Sequence, residues 1–296
     1  MNQARHGQSQ QERIGIILRI LSGIAFTLMG ALIKYLAESV PLGQLVFFRS
    51  AFALIPMLGF LLWHRDFPGG LKTTRPLGHL LRCCIGTVAM FSAFATLRHL
   101  PIAEATTLTY LSPIILVILA VVILKEKVSY RRWQGVILGL FGLLVMTVPN
   151  FSVTANLATL LGISLGVLTA TLIAAALLQV RYLTLQGEKT GTIAFYFTIA
   201  STLVGAVTVL SGWVQPTLSQ WLCLIGIGII GGIAQLLMTL SFSYAGAAVL
   251  AAYEYLAILW ALLAGVIFFD EIPGTFFWLA VPLILVGAII AKPTKS

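Results

Sequence analysis

Between residues 14 and 291 the sequence is a succession of apolar runs, each about long enough to cross a bilayer, joined by connections too short to fold by themselves. The runs read as 14–36, 41–63, 77–97, 101–124, 132–149, 157–180, 192–213, 219–243, 246–269 and 274–291. A span needs about 20 apolar residues at about 1.5 Å of rise each, so these runs leave no stretch for a separate globular domain. With 59% hydrophobic and only 9% charged residues, the chain cannot clothe a water-facing surface. It is also far too apolar to be disordered. The expected fold class is an all-α membrane protein with ten transmembrane helices.

The net charge of +9 does not point to nucleic acid, because the basic residues sit between the apolar runs. Arg5 and Arg13 precede the first run; Arg65, Lys72, Arg75 and Arg82 surround the second connection; Lys125, Lys127, Arg131 and Arg132 surround the fourth. Arg181 and Lys189 flank the sixth, and Lys292 and Lys295 form the tail. The connections at 150–156 and 211–220 carry no charge and Asp270-Glu271 is acidic, with Lys34 and Arg98 as exceptions. The positive-inside rule then predicts a multi-pass inner-membrane protein with both termini cytoplasmic, residues 1–13 and 292–296 being polar ends. The polar start runs into a full-length span with no cleavage site, so no signal peptide is expected. Cys83, Cys84 and Cys223 lie in apolar surroundings without metal-ligand spacing and read as small buried residues.

An internal repeat organises the chain. A shift of about 145 residues matches Ile85-Gly86 with Ile230-Gly231, Tyr110-Leu111 with Tyr255-Leu256, Glu126 with Glu271 and Trp133 with Trp278. A shift of about 147 matches Lys34-Tyr35-Leu36 with Arg181-Tyr182-Leu183. Each half, 14–149 and 157–291, holds five runs. Five is odd, so the second half is expected to insert upside down, giving two inverted five-helix repeats, as in secondary transporters.

The stretch from Leu97-Arg98-His99-Leu100-Pro101 through Glu104 and Thr109-Tyr110-Leu111-Ser112-Pro113 to Lys125-Glu126-Lys127 resembles the ten-helix EamA-type group of the drug/metabolite transporter superfamily. Phe47-Phe48-Arg49-Ser50 and Arg131-Arg132-Trp133-Gln134-Gly135 are similar to further recurring patterns of that group, and the likeness extends from Gly15 to Ala291. The resemblance implies two inverted repeats around a cavity and transport of amino acids, nucleoside- or vitamin-like metabolites, or drugs. The patches Thr74-Arg75-Pro76 with His79 to Arg82, and Tyr253-Glu254-Tyr255-Leu256, are similar to a bacterial subgroup with S-adenosylmethionine and riboflavin carriers; YddG-type amino-acid exporters share the fold.

Charges inside a span are costly unless paired or wet, so they are the informative residues. Glu254 lies about eight residues into its run, roughly 12 Å deep, where a carboxylate can hold an ammonium, a proton or a structural cation. Arg49 suits a substrate carboxylate or an ion pair with Glu254. Arg19 lies near the end of its run and is expected to snorkel to the interface. Thr106 and Thr109, with Tyr110 before Ser112-Pro113, form a candidate polar wall at a helix kink. Tyr110 and Tyr255 are repeat mates, expected on opposing walls of the cavity. Phe48 and Tyr253 complete the candidate substrate-binding set as stacking surfaces.

No phosphate-binding glycine motif, nucleophile–base pair or metal-ligand group is visible, so no enzyme activity, cofactor or metal is expected. The expected function is export of amino acids or similar small amphipathic metabolites by alternating access. Uptake or exchange of a nucleoside-like or vitamin-like solute, and cationic drug/proton antiport, stay open. The expected partners are the small-molecule substrate, protons as a coupling ion and the lipid bilayer. No nucleic acid is expected, and the chain is expected to act as a monomer.

Overall fold

The computed structural model describes residues 2–36, 39–65, 67–99, 108–147, 157–269 and 275–290. These form α-helices with two short 3-10 turns and no strand among the described residues. In chain order the first half supplies α1 (Asn2–Leu36), α2 (Leu42–Trp63), α3 (Pro76–His99), α4 (Ser112–Val122) and α5 (Tyr130–Thr147). The second supplies α6 (Leu157–Leu185), α7 (Thr190–Val207), α8 (Leu218–Tyr244), α9 (Ala247–Glu254), α10 (Leu256–Phe269) and α11 (Thr275–Ile290). Among the described residues seven apolar segments are long enough to cross a membrane, one of them running through α9 and α10 together, and α4 is a shorter apolar helix.

Local chemistry sets the helix starts. Pro41 is the residue before α2 and Pro76 opens α3, where a missing N–H costs nothing. Thr217 and Gln220 form a reciprocal capping box at the start of α8. The fourth apolar run departs from expectation. Pro113 does not kink a continuous helix; the helix breaks at Tyr110-Leu111, and Pro113 falls in the first turn of α4. The ninth run breaks likewise at Tyr255, between α9 and α10. Two repeat-mate tyrosines therefore occupy the two breaks.

Packing crosses between the halves. α1 packs on α8, and its repeat counterpart α6 packs on α3. α4 packs on α6, as α9 and α10 pack on α1. α2 meets α7 and α5 meets α11, each pair being its own counterpart. One mated pair is unequal: α2 lies along α8 far more extensively than α3 lies along α7. Gly228 and Gly232 allow the close α2–α8 approach, since a Cβ on either would meet the backbone of Phe48, Phe52 or Ala53 at about 3 Å.

Polar contacts join the halves at both ends of the bundle. At the basic end, Arg181 donates from Nε to Glu126 at 3.0 Å and from Nη1 to the Phe242 carbonyl at 2.6 Å. Glu126 also faces the N-terminus of α9, 3.4 Å from the Ala247 N–H and 3.5 Å from that of Ala248, where a carboxylate complements the helix dipole. Glu188 accepts from the Thr73 hydroxyl, the Thr74 N–H and the Thr74 hydroxyl at 2.9 to 3.0 Å, and pairs with His79 Nε2 at 3.1 Å. At the opposite end Gln44 donates to the Val214 carbonyl (2.8 Å) and accepts its N–H (3.1 Å).

Candidate functional site: a charged cavity within the bundle

A cavity of about 240 Å³ lies among α1, the 108–112 segment, α6, α8, α9 and α10. Most of its wall is apolar, from residues such as Ile20, Phe26, Ile173, Leu177 and Met238. Set into that wall is an ion pair, Arg19 Nη2 to Glu254 Oε1 at 3.0 Å, with both side chains largely buried. Arg19 also lies 6.0 Å from the Phe242 ring centroid, on the same side of the bundle. Arg19 thus does not snorkel. One turn of α1 past it, Ser22 donates to the Ala234 carbonyl at 2.8 Å and pins α1 to α8.

The pair leaves hydrogen-bonding capacity unused. Glu254 Oε2, the Tyr253 hydroxyl and Trp260 Nε1 are buried with no hydrogen-bond partner among the described residues, and all three residues line the cavity. An unmet buried polar atom costs on the order of 1–3 kcal/mol, more if charged, so three in one wall mark a place that a polar ligand would complete. The wall presents a cation, an anion, hydroxyl and indole donors, and a large apolar face.

The sequence candidates divide between different places. Glu254, Thr109, Tyr110 and Tyr253 all line the cavity, where Thr109 makes a polar contact of its own. Tyr255 does not line it. Its ring is fully buried, 6.4 Å from that of Tyr110 between centroids, and it presses on Gly139 of α5. The two tyrosines are neighbours, not opposing walls. Arg49 is not the partner of Glu254; Arg19 is. Phe48 belongs to an aromatic cluster with Phe47, Phe52, Trp213 and Trp221. Thr106 lies outside the described residues. Sequence reasoning missed Trp260 as a polar donor and Arg19 as a wall residue. The available signal for Arg19 was its position within an apolar run.

Comparison with known proteins agrees with this architecture. The EamA-like transporter family matches residues 13–148 and again 160–291. The chain belongs to the EamA-like transporter family. It is 28% identical over 287 residues to the pseudopaline exporter CntI of Pseudomonas aeruginosa, covering 95% of this chain and 97% of the relative. It is 27% identical over 262 residues to the S-adenosylmethionine uptake transporter of Rickettsia prowazekii (88% and 85% covered). It is 28% identical over 279 residues to the riboflavin transporter of Rhizobium johnstonii (93% and 90% covered). A solved crystal structure with 22% identity superposes with a TM-score of 0.81 over 96% of this chain and 98% of that one, which establishes the shared fold. This EamA-like chain is therefore a multi-pass membrane transporter of small molecules. Its relatives differ in cargo and in direction.

Proposed function

We propose that this EamA-like transporter exports amino acids or similar small amphipathic metabolites across the bacterial inner membrane by alternating access. In this reading ten spans form two inverted halves, 14–149 and 157–291, with both termini cytoplasmic, and the chain works as a monomer. The observation that carries the cargo assignment is the Arg19–Glu254 pair set in an apolar cavity wall. A zwitterion can exchange with such a pair, its ammonium replacing Arg19 beside Glu254 and its carboxylate replacing Glu254 beside Arg19. The free acceptor on Glu254 and the donors of Tyr253 and Trp260 then have partners. Ile20, Phe26 and Leu177 receive the apolar part of the solute.

The outward direction follows the exporter among the relatives, and the positive-inside rule makes the basic end the cytoplasmic one. The test is transport by purified protein in sealed vesicles, using a labelled amino-acid panel with and without a pH gradient. Saturable movement of an amino acid, lost in Glu254→Gln, is the expected result. Movement of only nucleoside-like or vitamin-like solutes would replace the cargo assignment, and cation movement driven solely by protons would replace the mechanism. Cysteines introduced at 150–156 and 211–220 should label from outside intact cells; protection of both would reverse the topology.

A further inference from the structure

Helix α9 is eight residues long and is cut off at both ends. Ala245 and Gly246 are extended, so the hydrogen bonding of α8 does not run on into it, and the helix breaks again at Tyr255. Every residue from Ala247 to Tyr253 is buried, and four of the first six side chains are alanine. Its internal hydrogen bonds make α9 a stiff body about 10 Å long. Alanines raise only shallow ridges, so its packing on α4 and α1 resists a shift along the axis weakly.

Each end of this body is held by a charge from the other half of the chain. At the C-terminal end Glu254, the last residue of α9, pairs with Arg19 of α1 at 3.0 Å. At the N-terminal end the holder is Glu126, in the connection from α4 to α5. Lys125 takes a left-handed φ of 53° and turns the chain back, and the Glu126 N–H donates to the Ala120 carbonyl at 3.1 Å. This seats the carboxylate over Gly246, where a Cβ would lie 3.0 Å from Oε2 and 3.3 Å from Oε1. There it faces the Ala247 and Ala248 N–H groups and accepts from Arg181 of α6. Arg181 in turn donates to the Phe242 carbonyl near the end of α8, which also accepts from the Thr184 hydroxyl at 3.3 Å. Glu126 therefore clasps α6, the end of α8 and the start of α9 together.

A stiff body tied at both ends passes a change at one end to the other. Moving α9 along its axis by one residue rise, about 1.5 Å, alters both contacts at once. The Arg19–Glu254 pair or the approach of Ala247 and Ala248 to Glu126 then exceeds hydrogen-bond length.

We infer that α9 is a strut coupling the cavity to the basic end of the bundle: the Arg19–Glu254 pair and the Glu126 clasp hold it in one register, and release of either loosens the other. Its role in transport rests on the solute reading of the cavity given above. A solute ammonium that takes the place of Arg19 beside Glu254 unties α9 from α1. The clasp is then the charge that still joins α9 to the first half. Such coupling is reciprocal, so a weakened clasp makes Arg19 easier to displace and tightens solute binding.

The test uses the full chain in phosphatidylcholine nanodiscs and reads hydrogen exchange by mass spectrometry, without solute. Gly246→Ala is the mild clasp variant: a backbone at φ −67° and ψ 153° accepts alanine, and the methyl group meets the flexible end of Glu126. Glu126→Gln is the second clasp variant. The double variant Arg19→Gln/Glu254→Gln releases the cavity end without stranding a charge. The double variant should raise exchange at residues 247–250 by about fivefold or more, and both clasp variants should do the same at residues 252–256. Exchange across α7 should stay as in the wild type.

Increases confined to the substituted end would overturn the inference, and so would an increase shared equally by α7, which marks general loosening. A second arm measures equilibrium binding of leucine, a zwitterion with an apolar side chain. Gly246→Ala should bind it about fivefold more tightly than the wild type; equal or weaker binding would overturn the link between clasp and cavity. A wild type that binds no leucine counts against the zwitterion reading of the cavity, while the exchange arm still decides whether α9 couples its two ends.

Discussion

The rings of Tyr110 and Tyr255 lie 6.4 Å apart between centroids, at an interplanar angle of 31°, and each tyrosine sits where an apolar helix breaks. They are repeat mates, so the two interrupted spans meet at their interruptions. Beside this contact stands Glu254, the last residue of α9, whose carboxylate reaches Arg19.

The two edges of Tyr255 should respond differently to substitution. Its hydroxyl is buried with no partner among the described residues, so Tyr255→Phe removes an unmet polar group and should leave stability unchanged or raise it by up to about 1 kcal/mol. Tyr255→Ala empties the space against Tyr110 and Gly139 and should cost about 3–5 kcal/mol. Thermal unfolding in nanodiscs of the two variants measures the contrast.

Removing one member of the central ion pair should cost more than removing both. Glu254→Gln strands the buried Arg19, at about 3–5 kcal/mol. The double variant Arg19→Gln/Glu254→Gln should recover most of that stability but not transport per folded molecule. Normal transport by the double variant would reduce the pair to architecture.

The Glu188 contact at the basic end should release only in acid. Burial by itself would raise the pKa of this carboxyl, but the bonds from His79, Thr73 and Thr74 outweigh it and hold it below the ordinary carboxylate value. A depressed folded-state pKa stabilises fully above the unfolded value, about 4.3, and the contribution fades as pH falls through the depressed one. Melting temperature should therefore show no Glu188-dependent change between pH 5 and 8 and should fall toward pH 3. Glu188→Gln should cost about 2 kcal/mol at pH 7 and flatten the acid limb.

A side chain at Gly228 should separate α2 from α8. Its Cβ would meet the Phe48 carbonyl at 2.9 Å and the Phe52 Cα at 3.0 Å, and backbone cannot swing aside as a side chain can. Gly228→Leu should abolish monodisperse protein in detergent, whereas Gly59→Ala, which meets nothing within 4 Å, should behave as wild type in size-exclusion chromatography.

Run length, charge placement and the repeat of Tyr, Glu and Trp were enough, from the sequence by itself, to determine an all-helical membrane chain of two related halves. Position along a helix was readable too, because each residue advances it by about 1.5 Å, and so Glu254 stood out. Partners were not readable. Along an apolar run every side chain at a given depth is an equally good candidate for any charge on another helix, and periodicity does not say which helices touch. Only the packing of α1 between α8 and α10 brought Arg19 to Glu254 and left Arg49 out of that pair. The same holds for His79 and Glu188, which come from different halves of the chain and meet at 3.1 Å. Chain-local physics sets what each helix is and where along it each residue lies; azimuth and neighbours depend on side-chain fit across helices, down to the missing Cβ of Gly228 and Gly231, and that was decided only in three dimensions.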